Sequence, residues 1–164
     1  MTGWYTTPGL ERLLDMIPSR WIPSSPLTGL THAATVVYFP MFLRIFVQAK
    51  LGGRRGYDND DTRGQIARLL GKSKLFDRLH SSHINGLESF PFFSAAILAG
   101  LHAKIDRKRL CRMVALWILV RIAYVAMYLV QTKRTSVFRS LLFLFSLGLS
   151  MNLLRESARR TLAE

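Results

Sequence analysis

Residues 141–149 read Leu-Leu-Phe-Leu-Phe-Ser-Leu-Gly-Leu. An amphipathic helix in water confines its apolar residues to one stripe and keeps a polar face. Here every position around more than two helical turns is apolar or small, with Ser146 and Gly148 as the relief. Working outward, the same character holds from Ser136 to Leu154. That is roughly the 20 residues needed to cross about 30 Å of hydrocarbon. Three earlier blocks repeat the pattern: Leu27 to Gln48, Ile84 to Ala103 and Leu110 to Gln131. The sequence therefore predicts an all-α protein, a bundle of four transmembrane helices in an integral, multi-pass chain.

The charged residues agree. The 164 residues carry 23 Lys and Arg against 10 Asp and Glu, a formal net charge of +13. Lys50, Arg54, Arg55, Lys104, Arg107, Lys108, Arg109, Lys133, Arg134, Arg155, Arg159 and Arg160 all bracket the apolar blocks. Basic residues so placed suit an anionic membrane surface. No basic run interleaved with aromatics and no nucleic-acid motif accompanies them, which argues against a nucleic-acid partner. Basic residues are split almost evenly between the two sides, so no orientation follows from them. Cys111 is alone and reads as a small buried hydrophobe.

The chain divides into an N-terminal interfacial segment (1–26), the four-helix membrane domain (27–155) and a basic tail (156–164). Residues 1–26 carry Glu11 and Asp15 and lack the long apolar core of a cleavable signal peptide. Leu10, Leu13, Leu14, Ile17 and Trp21 fall at helical spacing after Pro8, which predicts a short amphipathic helix at the interface. Between the first two spans, Gln65 to Leu79 has the periodicity to extend a helix into water.

An ionisable side chain near the bilayer centre costs on the order of 3 kcal/mol and normally pairs or lines a cavity. Arg44, Glu88, Arg121 and Arg139 fall inside the predicted spans. Three positive charges and one negative cannot cancel, so the excess asks for an anionic partner or a water-filled opening. Arg139, near a helix start, has the alternative of snorkelling to the interface. Asn85 and Glu88 are three residues apart and share a helix face, as do Arg121, Tyr124 and Tyr128. Two polar faces imply a common pocket between helices or between subunits. The alternative is that Glu88 and Arg121 pair across the bundle as structural glue. His80 and His83 have no third ligand at suitable spacing, so no metal site is expected.

The second span, Asn85-Gly-Leu-Glu88-Ser-Phe-Pro91-Phe-Phe-Ser-Ala-Ala, resembles the core motif of the MAPEG superfamily, the membrane-associated proteins in eicosanoid and glutathione metabolism. Asp58-Asn59 and Arg63-Gly-Gln65 upstream extend the likeness. So do Arg121-Ile-Ala-Tyr124-Val-Ala-Met-Tyr128 and Arg139-Ser140 downstream. The resemblance implies a homotrimer with glutathione as co-substrate at the subunit interfaces. Asn85, Glu88, Arg121, Tyr124 and Tyr128 would bind the peptide, while Arg139 would stabilise its thiolate with Ser140 beside it. The implied activity is a microsomal-type glutathione transferase or peroxidase acting on lipophilic electrophiles in the membrane. It would reside in the endoplasmic reticulum of a eukaryote or the inner membrane of a bacterium. The alternative is a non-catalytic lipid-binding or scaffold protein of the same fold. Ser81 and Ile84 stand where the well-characterised enzymes carry basic residues, and Phe143 where the eicosanoid synthases commonly carry Tyr, which points away from prostaglandin or leukotriene synthesis.

Overall fold

A computed structural model describes residues 8–130 and 136–163, without the side chain of Arg55. The chain is helical throughout its ordered elements: α1 (Pro8–Asp15), α2 (Pro26–Leu51), α3 (Thr62–Leu69), α4 (Lys74–His102), α5 (Arg107–Val130) and α6 (Ser136–Leu162). Four of them, α2, α4, α5 and α6, are long and apolar enough to span a membrane. Gln131, Lys133 and Arg134, expected at and beyond the end of the third span, lie outside the described residues.

The spans pack as a bundle in which α4 and α5 each touch both α2 and α6, and each other. α5 is the central element: 56% of its apolar window is buried, against 22% in α2 and in α6. The core gathers Trp117, Phe93, Ile97, Leu110, Met113 and Leu153. Phe93 stacks on Trp117 with ring centroids 4.4 Å apart. The outward faces are also apolar, with Phe39, Phe42, Phe46, Phe138, Leu141 and Leu144 exposed. A protein in water rarely exposes apolar patches beyond a few hundred Å². Hydrocarbon is the solvent these faces require, and the chain is an integral multi-pass membrane protein.

Local chemistry sets the helix ends. Ser25 caps α2 by accepting from the Thr28 amide at 3.1 Å, with Pro26 at the first helical position. Pro40 lies inside α2, which nevertheless runs on to Leu51. The polar stretch after it differs from the single extended helix expected over 65–79. α3 stops at Leu69, and the chain turns at Gly71 (φ +82°) before Ser73 caps α4. The left-handed backbone favours glycine there, and Asp77 accepts from its amide at 3.0 Å. α4 thus begins about three turns before the apolar block.

The two flanking segments join the bundle. Leu10, Leu14 and Ile17 of the N-terminal segment are part of the core, as an amphipathic α1 requires. Glu11 pairs with Arg109 of α5, and Arg109 reaches Glu156 at 2.9 Å. Residues 156–162, expected as a basic tail, continue α6, because Glu156 is buried between Arg109 and Arg160.

Candidate functional site

Besides the Arg109–Glu156 pair at the α1 end, buried charge among the described residues lies in two clusters, around Arg121 and around Arg44. On α5, Trp117, Arg121, Tyr124 and Tyr128 recur at four, three and four residues, which is one helix face. Arg121 is 1% exposed, its guanidinium carbon 4.3 Å from the Tyr124 ring centre and 5.7 Å from that of Trp117. These are cation–π distances. Tyr124 meets Tyr128 edge-on, with centroids 5.3 Å apart, and Phe143 of α6 lies 6.3 Å from its ring centre.

α4 and α6 supply the rest. Asn85 donates from Nδ2 to the Tyr128 hydroxyl at 3.2 Å and to the Ser81 carbonyl at 2.8 Å. Arg139 of α6 lies over the Tyr128 ring, its guanidinium carbon 4.7 Å from the ring centre. Asn85, Arg121, Tyr124, Tyr128 and Arg139, expected from three separate stretches of sequence, are therefore neighbours. Among the described residues the unpaired buried polar atoms in and beside this group are mostly donors, with Ser82 Oγ of α4 and Asn152 Oδ1 of α6 as the exceptions. Arg121 Nε, Arg121 Nη1 and Trp117 Nε1 are all buried donors without an acceptor. Each such group costs roughly 1–3 kcal/mol when left unpaired.

Two of the expected residues stand apart. Glu88 is exposed on the outer face of α4, with Ile84 and Leu87. Among the described residues no ion pair joins it to Arg121, so the structural pairing considered from sequence is not made. The reason is angular: three residues along a helix turn the side chain by about 60° from Asn85, enough to pass from the bundle seam to its exterior. Ser140 is also exposed, and its hydroxyl donates to the Ser136 carbonyl at 3.4 Å.

The second cluster lies between α2, α3 and α4. Arg44 donates from Nη1 to His80 Nδ1 at 3.1 Å, which leaves that histidine nitrogen as the acceptor. Gln48 Nε2 donates to Gln65 Oε1 at 2.7 Å. Gln65 also accepts from the Asp58 amide at 3.0 Å and donates to the Gly56 carbonyl at 2.8 Å. His83 Nδ1 bonds the Val37 carbonyl at 3.1 Å. Among the described residues no three His, Cys, Asp or Glu side chains are grouped to hold a metal ion.

Sequence reasoning missed Trp117 and Gln48. Trp117 was within reach, because it lies one turn before Arg121 on the same face. Gln48 looked like the end of a span, and only its partner seventeen residues away reveals its role.

No curated protein and no solved structure matches the chain significantly. The profile of the MAPEG family does match, over residues 27–158, which reaches into all four spans and takes in the Arg121 and Arg44 clusters. The chain belongs to the MAPEG family.

Proposed function

We propose that the chain is a membrane glutathione transferase or peroxidase acting on lipophilic electrophiles, with its site at the boundary between subunits of a trimer. The observation that carries this reading is the surplus of buried donors at Arg121 and Trp117. A surplus of donors suits a guest rich in acceptors, and glutathione carries two carboxylates and two amide carbonyls. When bound, glutathione supplies the thiol that attacks an electrophile or reduces a peroxide.

The chain's own residues then divide the work. Arg121, with Trp117 behind it, binds the anionic peptide. Asn85 fixes the Tyr128 hydroxyl, and Tyr124 and Tyr128 form an aromatic wall. Arg139, held over Tyr128, places positive charge where a thiolate needs it, and a neighbouring cation lowers a thiol's pKa. Ser140 is one residue further along α6 and supplies a hydroxyl at the outer edge.

Glu88 supports the subunit boundary. A carboxylate facing hydrocarbon costs on the order of 3 kcal/mol. A second subunit packed on the outer face of α4 removes that cost and brings Glu88 to the ligand's ammonium group. A groove of about 810 Å³ between α5 and α6, lined by Ala123, Ala126, Met127, Phe138, Leu141 and Phe145, opens on the lipid side. It offers an apolar approach next to Arg139 for a substrate dissolved in the bilayer.

The test is glutathione binding to detergent-purified protein by calorimetry, followed by conjugation assays on wild type and Arg139→Leu. Binding retained with conjugation lost in the variant supports the assignment. Full conjugation by Arg139→Leu sinks it. A folded oligomer that ignores millimolar glutathione makes the protein a lipid-binding or scaffold member of the family.

A further inference from the structure

We propose that the end of the bundle carrying α1 holds a binding site for the phosphate of an anionic phospholipid. This end is opposite the proposed glutathione site, since Tyr128 and Arg139 lie near the end of α5 and the start of α6. A cavity of about 520 Å³ opens there, lined by Ile22, Pro23, Ser24, Arg107, Lys108 and Arg112, with Cys111 between them. It lies where α2 and α5 begin, the level at which spanning helices meet headgroups.

The charge of the lining fits a phosphate. Arg107 donates from Nη2 to the Ser24 carbonyl at 2.6 Å, which ties the wall of the cavity to the start of α5. Arg112 bonds Asp15 of α1 at 2.5 Å. A guanidinium has five N–H donors, so each keeps others for a ligand. Lys108 is exposed and makes no ion pair among the described residues. Asp106 is occupied by capping the Arg109 amide at 3.0 Å, and Arg109 itself turns away to Glu11 and Glu156. Three cations thus surround one cavity, with Asp15 and Asp106 as the nearby carboxylates, both engaged.

The surroundings select a lipid over a free anion. Leu13, Met16 and Trp21 are all exposed, Met16 by 76% and Trp21 by 53%, on the segment that leads into the cavity wall at Ile22 and Pro23. Arg20 lies 5.9 Å from the Trp21 ring, cation beside aromatic. Apolar and aromatic side chains of this kind sit among acyl chains at the boundary while basic groups reach phosphate. A phosphate held in the cavity therefore has its tails beside Trp21 and Met16.

The experiment is native mass spectrometry of the full chain in detergent, titrated with phosphatidylglycerol, phosphatidylcholine or inorganic phosphate. Wild type, Lys108→Gln and Lys72→Gln are compared; Lys72 is an exposed basic residue at the opposite end. Phosphatidylglycerol should be retained in preference to phosphatidylcholine, and Lys108→Gln should weaken retention roughly fivefold. Lys72→Gln should leave it unchanged. Equal retention of the two lipids overturns the site, as does an equal loss in both variants. Competition by inorganic phosphate at matched concentration overturns the lipid assignment. No arm uses glutathione, so the outcome is independent of the catalytic proposal.

Discussion

Arg44 and Arg121 are both buried in apolar helices, 7% and 1% exposed, yet their surroundings are organised on different principles. Around Arg44 the polar groups answer one another. His80 accepts from it, and Gln48 and Gln65 bond each other and the loop backbone. What remains is one donor, Arg44 Nε, and one acceptor, Gln48 Oε1, four residues apart on one helix face. One donor stands against one acceptor, so the polar groups there are balanced. Around Arg121 the described residues leave three donors on Arg121 and Trp117 unpaired, beside the faces of aromatic rings. The first cluster is balanced in donors and acceptors, whereas in the second the unpaired donors are in excess among the described residues. Intramembrane charge alone does not separate the two cases. The balance of donors and acceptors does.

Substitutions in the two clusters should therefore have crossed effects, and the largest belongs to the balanced one. A Cβ on Gly52 would run into the carbonyl oxygen of Gly56, a backbone atom that cannot swing aside, and onto the Gln65 amide. Gly52→Ala should cost above about 3 kcal/mol of stability, read as a collapse of the detergent melting temperature. If it melts like wild type, the α2–α3 junction is not as tight as described. Gln65→Leu removes three hydrogen bonds, for a loss of about 3 kcal/mol, while glutathione affinity of the remaining folded protein stays unchanged.

Arg121→Leu reverses that pattern. Glutathione binding should weaken by about 2 kcal/mol, roughly thirtyfold, while the melting temperature holds or rises because unpaired donors are gone. A large loss of stability with binding intact would put Arg121 in the structural class with Arg44. The smallest effect is at the surface. Asp61 caps α3 through the Gly64 amide and pairs with Arg68 at 2.9 Å, and these two partners hold its carboxyl below the usual range. With the folded pKa depressed, its contribution is complete above the unfolded value of about 3.9 and fades as pH falls through the folded one. Asp61→Asn keeps a competent cap but loses this charge, so the melting difference between it and wild type should vanish in acid.

Much of the molecule was legible from particular residues. Leu141 to Leu149 leaves no polar face, so a lipid-facing span follows from period and length alone. The spacing of Arg121, Tyr124 and Tyr128 likewise puts them on one side of α5 before any packing is considered. The break at Gly71 was harder to see, since apolar periodicity runs across it and only the capping pair of Ser73 and Asp77 closes the turn. The position of Glu88 was only half legible for a related reason: spacing assigns a shared face to Asn85 and Glu88 but does not say where the seam of the bundle ends.

By itself the amino-acid sequence determined how many times the chain crosses the membrane and which residues share a helix face, because both follow from a fixed rise and a fixed turn per residue. Which faces meet was decided by tertiary structure alone. The angle at which α4, α5 and α6 pack put Asn85, Tyr128 and Arg139 together, left Glu88 outside, and gave Arg44 a histidine where Arg121 has only rings. Those choices depend on contacts between residues dozens of positions apart, and no local pattern encodes them.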